Sequence, residues 1–410
     1  MKKNITLGTF SSGLYKNRSV RVLFGSNDIV LKPSKQHAKS IDLMIGWGRK
    51  ANTQAPTSYA QENGIPYTTL EDGFIHSMSQ GRLGALSWSL VADELGIFYD
   101  AKNTSSLEQL IKKNSLSIEE LNKARSSINS IVEYGITKYN NAQQVMPEYL
   151  KYLKSPVLVV DQVSGDMSIP YALADQLSFD NMFDAARAEN PDSDIIIKIH
   201  PDVINGKRKG CIVLPKKLPP RTYLISENFN PILLMKYVNK VYVVSSQLGF
   251  EALLLGKTVV CYGVPFYAGW GLTDDRLDET LDVFKRRKHT CLPSLEVVFF
   301  AAYYQYSHYF HPDTNQPCQL EDILEYVKLQ YTTQRRLGTK LFCLGFTPWK
   351  KRFMTHYLKT PDNRVFFVKN VEQAISSGFD DSSTICLWST RYEAEAFELT
   401  KRFDVPIWRI

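Results

Sequence analysis

Ser245, Ser246 and Gln247, followed by Glu251, stand directly after the β-branched run Val241-Tyr242-Val243-Val244. A strand that ends in small polar residues and opens a helix presents unpaired backbone N–H groups at the positive end of the helix dipole. That is a ready anion site, and the anion it suits here is the phosphate of a nucleotide. Glu251 falls in the first turns of the same helix, where a carboxylate can accept hydrogen bonds from ribose hydroxyls. The pattern reads as the donor half of a nucleotide-sugar site.

Three further segments carry groups able to do chemistry. Glu71-Asp72-Gly73-Phe74 follows an apolar stretch and Pro66. Adjacent acids before a glycine suit a catalytic-cleft loop, and equally an ordinary turn. Asp161 and Asp166 flank Gln162-Val163-Ser164-Gly165 after the apolar run Val157-Leu158-Val159-Val160. That places two carboxylates at the carboxyl edge of a parallel sheet, where α/β enzymes gather ligands, although Asp166 could instead cap the next turn. In Lys198-Ile199-His200-Pro201-Asp202, Pro201 holds His200 extended at a strand end, positioned to donate to a phosphate. Lys198 has the right charge but can point to the other sheet face. There is no metal-ligand spacing, so no metal or other cofactor is expected. Asp274-Asp275 and Asp380-Asp381 read as surface turns.

Composition bounds the partners. With 410 residues, two or three domains of roughly 150 residues each are expected. The formal charge of +7 and clusters such as Lys285-Arg286-Arg287-Lys288 suit either a solvated surface or an anionic partner: a nucleotide, an acidic sugar or a lipid head group. The six cysteines lack CxxC spacing and read as reduced, buried thiols of a cytoplasmic protein. The amino terminus lacks the apolar core of a signal peptide, and no apolar run of about 18 residues offers a membrane span. Attachment to a membrane surface through basic patches stays open.

The elements that must position these residues are short apolar runs alternating with helical stretches, which predicts α/β architecture with parallel sheets. Strands are expected at 41–46, 157–160, 195–199, 241–244 and 258–262, and helices at 107–114, 118–134, 180–188 and 250–255. A boundary near 149–156 predicts two Rossmann-like lobes with a cleft between them, the GT-B-like arrangement. The lobes span residues 1–150 and 151–337, the second carrying the nucleotide-sugar donor segment. The tail repeats the opening of the chain: Leu341-Phe342-Cys343-Leu344-Gly345-Phe346 echoes Ile5-Thr6-Leu7-Gly8-Thr9-Phe10, and Ile385-Cys386-Leu387-Trp388 echoes Met44-Ile45-Gly46-Trp47. Val405-Pro406-Ile407 echoes Ile65-Pro66-Tyr67. Residues 338–410 are thus expected to be the truncated beginning of a second module, with uncovered apolar strand faces that leave it mobile or aggregation-prone.

In this order the segments resemble the capsule polysaccharide β-Kdo transferases of the KpsC family. The resemblance covers about residues 40–335. It rests on Gly46-Trp47-Gly48-Arg49-Lys50, Glu71-Asp72-Gly73-Phe74-Ile75, Gly96-Ile97-Phe98-Tyr99-Asp100, Asp161-Gln162 with Gly165-Asp166, and His200-Pro201-Asp202-Val203. The run from Gln247 to Leu253 and the distinctive Pro265-Phe266-Tyr267-Ala268-Gly269-Trp270-Gly271 complete it.

It implies retaining transfer from CMP-β-Kdo onto a β-Kdo-terminated phosphatidylglycerol glycolipid, with a β-(2→4) linkage for an N-terminal module of this kind. Retention by two inversions needs a carboxylate nucleophile: Asp166, with Asp161 in reserve. Glu71 or Asp72 is then the general base, while His200 and the Ser245–Gln247 helix start hold phosphate and Glu251 the ribose. Arg82 and Lys198 are candidates to meet the Kdo carboxylate. The family phrase usually reads Glu-Asp-Gly-Phe-(Leu/Ile)-Arg-Ser, whereas His76 stands here in place of arginine, which admits another CMP-linked keto-sugar acid as substrate. A non-catalytic binding protein of capsule assembly is the reading from a different class. The implied location is the cytoplasmic face of the inner membrane, with a lipid-linked acceptor, other capsule assembly proteins and no nucleic acid as partners.

Overall fold

The chain alternates strands and helices from its first turns, and the computed structural model describes residues 5–49, 53–78, 87–113, 115–199, 203, 206, 208–215, 217–288 and 291–410. These fall into two compact units, Met1–Asn140 with Met146–Leu324, and Asn141–Val145 with Glu325–Ile410.

The larger unit contains two sheets. Strands β1 (Thr6–Thr9), β2 (Asp28–Leu31), β3 (Leu43–Trp47), β4 (Tyr67–Asp72) and β5 (Ser89–Asp93) build most of the first. β1 to β4 run parallel, and β5 pairs antiparallel to β4, with Asp72 opposite Leu90. Strands β6 (Val157–Val160), β7 (Ile195–Lys198), β8 (Thr222–Ile225), β9 (Lys240–Val243), β10 (Thr258–Cys261) and β11 (Asp274–Asp275) form the second, wholly parallel, in the order β11-β10-β9-β6-β7-β8. β6 is buried along its whole length, which is why its sequence is an unbroken Val-Leu-Val-Val run rather than an alternating one. Helix Gln176–Glu189 covers one face through Phe179, Met182, Phe183 and Ala186.

The chain then returns to the first sheet. β12 (Ser307–Phe310) pairs antiparallel with β5, and β13 (Pro317–Cys318) with β12. A division of the chain at one point near residue 150 therefore does not describe the sheets, because residues 307–318 extend the first one. The strands at 43–47, 157–160, 195–198, 240–243 and 258–261 lie within a residue or two of their expected places.

The smaller unit holds β14 (Lys340–Leu344), β15 (Arg364–Val368), β16 (Ser383–Leu387) and β17 (Ile407–Arg409), all parallel, ordered β15-β14-β16-β17. That order repeats the β2-β1-β3-β4 order of the first sheet, element for element. The expected uncovered strand faces are not found. One face packs Phe342, Leu344, Ile385 and Leu387 against Ala374, Ala396 and Leu399, and the other packs Leu341, Cys343 and Cys386 against Met354 and Leu358.

Candidate functional site

Glu71 and Asp72 end β4, and the loop after β6 carries Asp166, so two sheets bring their carboxylates to one place. The charge that marks the place is Lys138, on the segment that follows helix Ile118–Tyr134 and its Gly135 cap. Burial by itself would pull the Lys138 ammonium down; the negative groups around it, Tyr139, Asp72, Glu71 and Asp166, outweigh burial and hold it above its ordinary value. Its carbonyl accepts from His76 N–H at 2.9 Å, and Ser77 bridges to Tyr139, which fixes the 138–139 backbone beside the Glu71-Asp72 loop.

Gly48 opens the space on the other side. Its φ is +57°, and a β-carbon there would lie 2.6 Å from Glu71 Oε2 and 2.5 Å from the Tyr99 hydroxyl. Arg49 N–H donates to that hydroxyl at 2.9 Å, and the Arg49 guanidinium pairs with Asp100 at 3.3 Å. Burial pushes the Tyr99 phenol up, and the charges of Glu71 and Asp166 push it further. Glu71 Oε1 accepts from the Asp72 N–H.

Asp166 is exposed, and its Oδ1 accepts from the Ser168 N–H at 2.9 Å. It caps the following turn while its charge reaches Lys138 and Tyr99. Asp161 differs. Its Oδ1 accepts from Cys211 and Ile212 N–H at 3.0 and 2.9 Å, and it is buried so tightly that a β-carbon on Gly210 would sit 2.2 Å from Oδ2. Burial raises its pKa against those hydrogen bonds. It pins the 210–212 segment from a buried position, whereas Asp166 stands exposed.

The expected donor side is also redrawn. Ser246 caps the helix Gln247–Leu254 by accepting from Leu248 N–H. Ser245 N–H donates to Gln162 Oε1 at 2.9 Å, and its hydroxyl meets Gln162 Nε2 and Ser168 Oγ. Gln247 Nε2 donates to the Phe74 carbonyl at 2.8 Å, which ties the helix to the Glu71–Phe74 loop instead of presenting an amide to a ligand. Glu251, expected on ribose, is 2% exposed; burial pushes its carboxyl up to about 8, opposed by hydrogen bonds from Lys138 N–H and Gln247. Among the described residues its Oε2 has no hydrogen-bond partner.

Lys198 lies on the face of β7 opposite Ile195 and Ile197, with Nζ 5.6 Å from the Phe229 ring, and burial brings its pKa down to about 8 with Glu227 as the opposing charge. The alternation of the strand thus takes it to residues 227–229. His76 is buried, 3.3 Å from Asp72 and 3.1 Å from Ser87 Oγ, with its pKa lowered by burial despite Asp72. The enclosed imidazole is thus held against Asp72, in place of the arginine of the family phrase. Arg82, His200 and Pro201 lie outside the described residues. Lys138 and Tyr99 were missed as site residues; a lysine just past a Gly-capped long helix, inside a short segment of Ile, Thr and Tyr, was the available signal for the first.

Fold and site together define an α/β protein in which two sheets bring carboxylates to one place beside a half-buried lysine. The model of the family described as capsule polysaccharide biosynthesis protein matches residues 42–133 and 118–309, and the chain belongs to that family. It is 35% identical over 378 residues to the capsule polysaccharide modification protein LipA of Neisseria meningitidis serogroup B, covering 91% of this chain and 53% of that protein. The chain therefore spans about half the length of that relative. It is 34% identical over 292 residues to the lipopolysaccharide-processing protein LpsZ of Rhizobium meliloti, covering 70% of this chain and 64% of that protein. Among solved structures, it is similar to the β-Kdo 2,4 transferase of Thermosulfurimonas dismutans KpsC, with 37% identity, TM-score 0.72, and coverage of 79% of this chain and 98% of the other. The β-Kdo 2,7 transferase of the same KpsC gives 26% identity and TM-score 0.57, over 80% of this chain and 99% of the other. Resemblance to the KpsC family, read from the motifs, is borne out. Among the described residues no helix is long and apolar enough to cross a membrane.

Proposed function

We propose that this chain is a retaining glycosyltransferase of GT-B-like organisation that moves Kdo from CMP-β-Kdo to a lipid-linked β-Kdo acceptor. The observation that carries the reading is the gathering of Asp166, Glu71 and Asp72 around Lys138, in a chain that matches almost the full length of a β-Kdo 2,4 transferase. The higher identity and TM-score against the 2,4 than the 2,7 transferase favour the β-(2→4) linkage.

In the first displacement an Asp166 oxygen attacks the anomeric carbon of Kdo, and the bond to the phosphate oxygen of CMP breaks, the electron pair leaving with CMP. In the second, Glu71 or Asp72 takes the proton of the acceptor hydroxyl as that oxygen attacks the same carbon, releasing Asp166 as carboxylate. Lys138 balances this negative charge and is the cation we assign to the sugar carboxylate, in place of Lys198. His200 is assigned to the phosphate and Arg82 to the acceptor side. The work would take place at the inner face of the membrane that holds the acceptor.

The test is incubation with freshly generated CMP-Kdo and a synthetic β-Kdo glycolipid, with the product read by mass spectrometry and NMR. One added β-Kdo, lost in Asp166→Ala while acceptor binding persists, is the expected result. No transfer by the wild-type chain, with both substrates bound, would return the weight to a non-catalytic role.

A further inference from the structure

Helix Pro348–Leu358 of the smaller unit has two apolar faces, and its own unit uses one of them. Met354 and Leu358 point into the core beneath β14 and β16. On the other side Trp349, Phe353 and Tyr357 follow one another at the four-residue spacing that keeps side chains on one face. They are 71%, 50% and 67% exposed. The rings form a continuous ladder, Trp349 stacked on Phe353 at 5.9 Å and Phe353 against Tyr357 at 5.3 Å. Arg352 and His356 line the same surface, and the helix contains no acidic residue; Lys350 and Lys351 reach instead to the Trp388 and Phe367 rings, at 4.4 and 5.6 Å.

An outward aromatic ladder rimmed by cations has few suitable partners. Three rings this exposed offer on the order of 300–450 Å². A stable protein interface needs about 800 Å² on each side. A second copy docking face to face would also set Arg352 against its own counterpart, which like charge disfavours. A bilayer interface has neither problem: Trp and Tyr sit well at headgroup depth, and basic side chains gain from anionic headgroups at the same level.

We propose that the outward face of helix Pro348–Leu358 docks this chain on an anionic phospholipid surface, with Trp349, Phe353 and Tyr357 entering the interface and Arg352 and His356 meeting the headgroups. This goes beyond the transfer reading, since it needs neither sugar donor nor acceptor.

The experiment is flotation of the full chain with large unilamellar vesicles of phosphatidylcholine alone, or of phosphatidylcholine with a quarter phosphatidylglycerol. The variants are Trp349→Ser/Phe353→Ser/Tyr357→Ser and Arg352→Glu/His356→Glu, each checked for unchanged melting. We expect partitioning about tenfold or more stronger onto the anionic vesicles, weakened by salt and lost in both variants. Absence of anionic binding by the wild type, or equal binding by the aromatic variant, overturns the proposal. A concentration-dependent dimer in sedimentation, abolished by the aromatic variant, would also overturn it and give the face to a second copy. Transfer to a water-soluble acceptor is unaffected by either variant, so failure of docking and failure of the transfer reading are told apart.

Discussion

At Lys138 a half-buried cation is kept charged by the acids around it, and this makes its removal informative. Replacing it with methionine keeps the volume and leaves Glu71, Asp72 and Asp166 to repel one another. Taking away one preorganised charge of this kind costs about 10²–10³ in kcat, and that is the loss expected for Lys138→Met, with partial recovery in Lys138→Arg. Single-turnover rates measure it; a wild-type rate in the methionine variant would remove Lys138 from the site. Glu251 makes the opposite case. Its folded pKa of about 8 lies above the ordinary carboxyl value of 4.5, so between those limits the folded state holds a proton that the unfolded state has lost. Stability must then fall as pH rises from about 4.5 to about 8, by an amount on the order of a few kcal/mol. Glu251→Gln stays neutral throughout, so its urea midpoint should decline less over that window; parallel curves for the two proteins would show that Glu251 ionises normally. These two residues also mark the limit of the sequence. The acids could be read from their position after apolar runs, but whether Asp161 or Asp166 faces the solvent depends on which N–H groups return from residues 210–212.

Among the elements, the phrase from Pro265 to Gly271 is where legibility and meaning part. It was distinctive enough to suggest the family, and in the structure its residues hold the two sheets' segments together. Phe266 packs on Phe74, Phe98 and Phe250, and so joins the loop of the first sheet to the helix of the second. Arg287 then locks the segment by donating to the Pro265 and Ala268 carbonyls, each at 2.8 Å, and by pairing with Glu108 at 3.2 Å. Arg287 and Glu108 side chains are 3% and 1% exposed. Glu108 also pairs with Arg286 at 3.1 Å, so removing Arg287 does not leave the carboxylate unpaired; what is lost is the packing of a buried guanidinium and its hydrogen bonds, each about 1.5–3 kcal/mol where one partner is charged. Arg287→Ala should therefore lower the denaturant midpoint clearly, while Lys285→Ala, on an exposed side chain, should leave it nearly unchanged. Equal, small effects would mean that Arg286 alone holds Glu108 and that the segment does not depend on Arg287. Strand positions were legible because parallel strands buried on both faces are nearly pure Val, Ile and Leu. The return of β12 to the first sheet was not, because a four-residue strand with a histidine in it has no periodicity to announce it.

For the whole molecule the repeated strand order carries the argument. The echo between residues 341–346 and 5–10 was visible as sequence, and the matching β15-β14-β16-β17 and β2-β1-β3-β4 orders give it a structural form. What the sequence alone did not disclose is that four strands with helices on both faces close their own cores. Phe342 stacks on Phe366 at 4.6 Å on one side, and Phe346 meets Trp388 at 5.5 Å on the other. A unit with its own buried clusters can unfold as its own cooperative step, and a single two-state transition is then not expected for the chain. Differential scanning calorimetry should resolve two transitions, the smaller belonging to residues 325–410. Leu344→Ala, deep in that unit's core, should lower the smaller transition by several degrees and leave the larger one in place. Should both transitions move together, the repeat is energetically part of the larger unit, and the two must be treated as one folding body.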